Sequence, residues 1–359
     1  MVIKTPTIPE IQEAVKAQPR LLCRAGGSKQ ALSGADGSVT LDVSGLSGVL
    51  EYQAGEFVFT ALAGTPLLEI EKMLSEKGQY LPFDPPLADA GATLGGTVAA
   101  GLSGPMRWRY GGVRDFILGV KFVDGEGSLV RGGGRVVKNA AGFDLPKLMV
   151  GSLGRLGVLV ELSFKVFPAP QATRTLRVAF GRLEEALEAC LRLAASAIEL
   201  YALDFEPPAG LALRLGGLEK ALEERSRRLW SFLGKDGELL EGEREARYWR
   251  GINNFGWAGG KPLVKVALTP GKIAGLEAAL LHSSNPLPSS TRRYHAAGHL
   301  LYMAWDGSWT ELDTLLKTQG LAGLVLAGNP LSPALGINSA HPFGERATRA
   351  LDPQGKFAR

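Results

Sequence analysis

The stretch from Ala90 to Pro168 constrains the fold more than any other part of the chain. It opens with AGATLGGTVAAGLSGPMRWRYGGVRDFILG and closes with GRVVKNAAGFDLPKLMVGSLGRLGVLVELSFKVFP, on either side of a hairpin. Glycine loses more backbone freedom on folding than any other residue, so a dense set needs a reason. The usual reasons are tight turns or a ligand lying directly on the backbone. A second glycine-bearing stretch, Arg24-Ala25-Gly26-Gly27-Ser28-Lys29, lies upstream. Two such segments, separated by strand-rich sequence, suggest one long ligand clasped from two sides, for which a dinucleotide is the natural candidate.

At 359 residues the chain is long for one hydrophobic core, so two domains are expected. Residues 8–17 read as an amphipathic helix with Ile8, Ile11, Ala14 and Val15 on one face. Short strands follow at 39–43, 48–52 and 56–62. Thr65 before Pro66 suits an N-cap with proline at the first helical position. Gly95–Gly101 reads as a short helix. Asp124-Gly125-Glu126-Gly127 joins strands 116–123 and 128–131 as a hairpin. Strand 157–167 ends at Pro168-Ala169-Pro170, the expected boundary. Beyond it, strands alternate with helices marked by Leu183, Leu187 and Leu191 and by Leu218, Leu222, Leu229 and Leu233. The organisation expected is α+β: a domain over 1–170, divided near 86/87, and an α+β cap domain over 171–330 with helices on one side of a mostly antiparallel sheet. A tail, 331–359, is expected to return to the first domain.

Several function classes are excluded. The net charge of +4 fits an anionic ligand, but no recognition helix, zinc finger or aromatic RNA-binding signature accompanies it, so no nucleic-acid partner is expected. Cys23 and Cys190 form no CxxC, which argues against an iron–sulfur cluster or structural zinc and fits a reducing, cytoplasmic setting. His295 and His299 are four apart but lack HExxH, and His282 and His341 stand apart, so no metal is expected. No apolar run approaches the roughly 20 residues of a membrane span. Membrane contact would be peripheral, through partners. Neither GxxxxGK[ST] nor GxGxxG is present; Gly151-Ser-Leu-Gly-Arg-Leu-Gly157 precedes a strand instead of following one, which disfavours a nicotinamide fold.

Arg24–Lys29 can cradle a diphosphate, because consecutive N–H groups freed by small residues make an anion-binding concavity; standing alone, it would equally be a surface turn. Arg107-Trp108-Arg109-Tyr110 is a basic–aromatic cluster in which Arg107 or Arg109 could pin a carboxylate in a bidentate manner, or simply face a subunit or phosphate. His299 is a candidate acid/base or a structural histidine. Trp249 and Trp257 with Asn253-Asn254-Phe255 form an aromatic patch, either core or partner-facing.

The order of these parts carries a resemblance. It comprises the loop near residue 25, Asp84-Pro85-Pro86, Ala92-Thr93-Leu94-Gly95-Gly96, Val113-Arg114-Asp115-Phe116, Lys138-Asn139-Ala-Ala-Gly142-Phe143-Asp144-Leu145 and Gly151-Ser152-x-Gly-x-x-Gly157-Val158. Over about residues 20–170 it resembles the flavoproteins of the vanillyl-alcohol oxidase type, and within them the FAD-binding subunits of bacterial glycolate oxidase. A weaker echo is Leu351-Asp352-Pro353-Gln354-Gly355-Lys356-Phe357. The resemblance implies a two-subdomain FAD-binding domain. Arg24, Ala25, Gly26, Gly27, Ser28, Lys29 and Gln30 would wrap the diphosphate. Pro85, Gly91, Ala92, Thr93, Gly95 and Gly96 would approach from the other side. Ala99, Ser103 and Gly104 would run toward the flavin, and Gly154, Gly157 and Val158 toward the adenine.

Relatives that attach flavin covalently often carry a histidine in the first loop, where Ser28 and Lys29 stand here, so the FAD is expected to be non-covalent. The implied function is a subunit of a 2-hydroxy-acid dehydrogenase complex, passing electrons to a partner. A companion flavin-containing catalytic subunit and an iron–sulfur subunit would complete it, with a small hydroxy acid as substrate. The His-rich Gly-Asp-Gly string of catalytic relatives is missing. A self-sufficient FAD-dependent hydroxy-acid oxidoreductase and a structural subunit with a non-catalytic flavin site remain alternatives.

Overall fold

The computed structural model describes residues 1–33, 38–134, 143–284, 286–337 and 342–357. The chain divides into two compact units. The first comprises Met1–Ser103, Gly111–Ala169 and the C-terminal residues 342–357; the second comprises Gly104–Tyr110 and residues 170–337.

The first unit begins with strand Val2–Lys4 and helix Ile8–Ala17. Glu10 secures the helix start by accepting hydrogen bonds from the Thr7 N–H (3.0 Å) and hydroxyl (2.7 Å). Its apolar face buries Ile11, Ala14 and Val15. Strands Val2–Lys4 and Leu21–Arg24 flank Val39–Asp42 in a parallel sheet. A second, antiparallel sheet has the order Val49–Gln53, Val58–Leu62, Val158–Lys165, Ile117–Val123, Leu129–Gly133. In the hairpin turn, the Asp124 carboxylate accepts from the N–H groups of Glu126 and Ser128.

This sheet corrects the division expected near 86/87. Val58–Leu62 pairs with Val158–Lys165 across that point, because a strand buried on both flanks needs two partners. Thr65 does not cap the following helix, Leu67–Ser75. Its hydroxyl accepts from the Gly48 N–H and donates to the Leu62 carbonyl, tying the turn instead.

The C-terminal segment latches onto the parallel sheet. The Leu21 N–H donates to the Lys356 carbonyl at 2.7 Å, and Phe357 is buried beside Ile11, Leu21 and Leu41. Asp352 accepts from the N–H groups of Lys356 and Phe357, and Lys356 Nζ donates to the Val15 carbonyl.

The second unit is built on nine strands, every neighbouring pair antiparallel. Their order is Glu238–Glu241, Ala172–Ala179, Gly210–Gly217, Ala202–Glu206, Arg292–His295, Leu300–Ala304, Leu263–Ala267, Ala322–Ala327, Ala334–Gly336. Side chains alternate across a strand, so Leu176, Val178, Leu211, Leu213 and Leu215 share one buried face. Thr173, Thr175 and Arg214 share the other. Helix Gly242–Asn253 meets that polar face: Glu245 accepts from both threonine hydroxyls and pairs with Arg214 at 2.7 Å. Helices therefore do not occupy one side alone.

Two boundaries also move. Residues 104–110 leave the expected 1–170 domain, because the turn Arg107–Tyr110 packs on Ala202–Glu206. Residues 331–337 stay with the second unit, since Ala334–Gly336 pairs with Ala322–Ala327. Helix Leu183–Ala194 buries Ala186, Ala189, Cys190 and Leu193, leaving Leu191 of the expected stripe exposed.

Candidate functional site

The first unit contains a groove of about 740 Å³, counting space open to solvent. Three segments build it. Strand Leu21–Arg24 feeds the loop Arg24–Lys29, helix Leu94–Ala100 lies opposite, and the turn through Gly154 and Gly157 closes one end.

Loop and helix meet backbone to backbone. A Cβ on Gly26 would lie 1.9 Å from the Gly91 carbonyl oxygen, so only glycine lets the two segments approach. Likewise, a Cβ on Gly95 would lie 2.7 Å from the Ala63 Cβ. Close backbone approach requires glycine at these two positions.

The donors are unevenly distributed. Thr93 caps helix Leu94–Ala100, accepting from the Gly96 N–H. The Leu94 and Gly95 N–H groups donate to the Thr65 and Ala63 carbonyls. That helix end is therefore satisfied internally. Among the described residues, by contrast, the N–H groups of Gly26, Gly27 and Ser28 have no protein acceptor. Backbone donors left open around small residues suit an anion.

The electrostatics match. Among the described residues, the titratable groups lining the groove are Cys23, Arg24 and Lys29, with no carboxylate or imidazole. Lys29 is buried, and burial lowers its pKa to about 8. Its ammonium donates to the Ser28 hydroxyl at 2.9 Å. Burial pushes the Cys23 thiol up to about 12, so it stays protonated and uncharged at neutral pH.

Most of the residues singled out from sequence converge here. Arg24 through Lys29, Thr93, Gly95, Gly96, Ala99, Gly154, Gly157 and Val158 line the groove. Six others do not. Gln30 begins the 3₁₀ turn Gln30–Ser33. Gly91 and Ala92 support the loop from behind, and Pro85 is buried away from it. The Ser103 hydroxyl accepts from the Val113 N–H at 2.9 Å, a structural bond. Gly104 belongs to the second unit. Cys23, Val43, Ala63, Leu153 and Leu159 line the groove unforeseen. Their sequence signal is the same as that of any core residue, and only the sheet brings them together. The motif Lys138 to Gly142 and His341 lie outside the described residues.

In the second unit, the remaining candidates separate. Arg109 is engaged with Glu199 at 3.4 Å and lies over the Tyr201 ring. His299 sits exposed in a turn, its Nδ1 2.8 Å from the Ala296 carbonyl. The buried histidine is His295, whose Nδ1 lies 2.5 Å from Asp204. Arg107 acts electrostatically on Lys265 and Tyr302. Lys265 and Tyr302 oppose each other in register on neighbouring strands, so they share a face. Trp249 and Phe255 are buried, and the Trp249 indole donates to Thr175, which settles those two as core. Among the described residues, no group of three His, Cys, Asp or Glu could hold a metal, and no helix is long and apolar enough to cross a membrane.

Residues 2–133 match the FAD binding domain family. The whole chain shares its α+β fold with alkyldihydroxyacetonephosphate synthase, at TM-score 0.72 over 99% of this chain and 76% of that one. At 15% identity, that likeness concerns the fold alone. In sequence, the chain is 46% identical over 168 residues to the glycolate oxidase subunit GlcE of Escherichia coli, covering 47% of this chain and 48% of that one. It is 29% identical over 170 residues to the glycolate oxidase subunit GlcD of Bacillus subtilis, covering 47% and 36%. These matches span about half or less of the curated relatives' length.

Proposed function

We propose that this chain is the FAD-binding subunit of a glycolate oxidase-type 2-hydroxy-acid dehydrogenase complex. The observation that carries the reading is the groove itself: open N–H donors at Gly26, Gly27 and Ser28, a buried cation at Lys29, and no carboxylate among the described lining residues. These residues suit the diphosphate, while Ala99, Gly154, Gly157 and Val158 offer small apolar walls to the rest of a dinucleotide. FAD, when bound, supplies the hydride-accepting chemistry that the side chains lack. The protein's own part is to bind, orient and shield it.

The cofactor is held without a covalent bond. No histidine lines the groove, and the Cys23 thiol, pushed up to about 12, is a poor nucleophile. A companion flavin subunit and an iron–sulfur subunit would take substrate chemistry and electron transfer, in a cytoplasmic complex. The full chain, purified and scanned for absorbance, is expected to show oxidised-flavin bands. Acid precipitation is expected to leave the flavin in the supernatant. Flavin in the pellet would overturn the non-covalent reading, and a colourless protein that gains no thermal stability from added FAD would overturn cofactor binding altogether.

One arrangement favours a second reading, a self-sufficient hydroxy-acid oxidoreductase. Arg107, Lys265 and the buried Tyr302 hydroxyl lie near the Asp204–His295 pair, which suits a carboxylate beside a positioned imidazole. Anaerobic mixing of the flavin-loaded chain with glycolate or D-lactate separates the two. Bleaching within seconds supports the second reading; an unchanged spectrum supports the subunit reading.

A further inference from the structure

Lys29 is unusual for a lysine. It is only 7% exposed, and a buried ammonium ordinarily has a carboxylate beside it. Here the described lining residues of the groove include no Asp, Glu or His. The other titratable lining groups are Arg24, of like sign, and the protonated Cys23 thiol. The hydroxyl of Ser28, at 2.9 Å, is a neutral partner. The neighbouring Asp42 lies outside the lining and is held below the usual carboxylate range, chiefly by its bonds to Ser44, with the charges of Arg24 and Lys4 adding to this. Among the described residues, then, the groove holds a buried cation with no carboxylate beside it, a place that suits an anionic ligand.

We propose that Lys29 is the proton-linked counter-charge of the bound dinucleotide, so that FAD is taken up together with a proton whenever Lys29 starts neutral. The inference rests on the FAD reading above and adds a regulatory property to the same groove. The step balances simply: one proton moves from solvent to Lys29 Nζ, and the diphosphate enters with its charge unchanged. In the free groove, burial lowers the lysine to about 8. An adjacent diphosphate favours the charged form and raises it. Below the free value Lys29 is already protonated, and affinity is independent of pH. Above it, binding must recruit the proton, and the dissociation constant rises by up to about tenfold per pH unit until the bound value is reached.

The test is titration of the flavin-free full chain with FAD from pH 6.5 to 9.5, followed by flavin fluorescence. Calorimetry at pH 8.5 in two buffers of different ionisation enthalpy counts protons. The expected result is a flat constant up to about pH 7.5, weakening of roughly tenfold by pH 9.5, and net proton uptake at pH 8.5. Lys29→Arg, which stays charged, should flatten the profile while keeping tight binding. Lys29→Met should flatten it while weakening binding at pH 7 by roughly tenfold. FAD binding with a flat wild-type profile and no proton uptake would overturn the inference and leave the FAD reading standing. No FAD binding at any pH would overturn both. The calorimetric count uses the wild-type chain, so a variant that fails to fold does not decide the outcome.

Discussion

Gly26→Ala should abolish FAD loading without unfolding the protein. The added Cβ would lie 1.9 Å from the Gly91 carbonyl oxygen and 3.2 Å from Thr93 Cγ2. The nearest obstacle is backbone, so it cannot rotate away as a flexible side-chain end would. The loop must lift by more than an ångström, carrying the Gly27 and Ser28 donors and Lys29 with it. Displacement of that order at a preorganised site costs about a hundredfold. Gly26 is itself exposed and buries no core, so the thermal midpoint of the apoprotein should change little. The ratio of flavin to protein absorbance after purification, with a melting curve of the stripped protein, measures both. A variant that purifies with a full complement of flavin would show that the two segments need not touch for binding.

The largest stability effect is expected in the second unit. Arg292 and Glu277 form a bidentate pair at 2.7 and 2.5 Å, both buried. Tyr294 donates to the same carboxylate at 2.6 Å, and Arg292 also donates to the Leu287 and Pro288 carbonyls. Glu277→Ala removes the only carboxylate of this group and leaves the guanidinium charge in the interior. Breaking a buried pair in this way costs about 3–5 kcal/mol. For a unit of this size, that lowers the melting temperature by roughly 10 °C. The double variant Glu277→Met with Arg292→Met should recover most of the loss, because it removes the charge along with its partner. If Glu277→Ala melted within a degree or two of wild type, or the double variant were the worse of the two, the uncompensated charge would not be the cause.

How much was legible in the sequence depended on whether the signal was local. Helix Ile8–Ala17 was readable because its apolar spacing, Ile8, Ile11, Ala14 and Val15, lies within ten residues. The hairpin at Asp124–Gly127 was readable because its carboxylate bonds are made two and four residues away. The close approach at Gly26 was legible because a Gly-Gly pair leaves room for another backbone segment, here that of Gly91.

Other features had no local signal. Thr65 followed by Pro66 satisfies the helix-capping pattern, yet Gly48, seventeen residues back, claims the hydroxyl. The division expected near 86/87 failed because Val58–Leu62 found its second partner about a hundred residues later. His299 and His295 are equivalent in a one-dimensional reading. Only the pairing of Arg292–His295 with Ala202–Glu206 buries one ring against Asp204 and leaves the other in a turn.

The sequence by itself therefore determined that two glycine-rich segments would bring backbone into close approach, the arrangement proposed to hold a long anionic ligand. That follows from residue type alone: small side chains free the backbone, and 40 Lys and Arg against 36 Asp and Glu leave the net charge at +4. The tertiary structure decided which donors remain open, that the Leu94–Ala100 helix end is spent on Thr65 and Ala63, and that Lys29 is buried with no carboxylate among the described residues lining the groove. Those outcomes depend on partners far apart in the chain, and burial is a property of the packed whole and not of any segment.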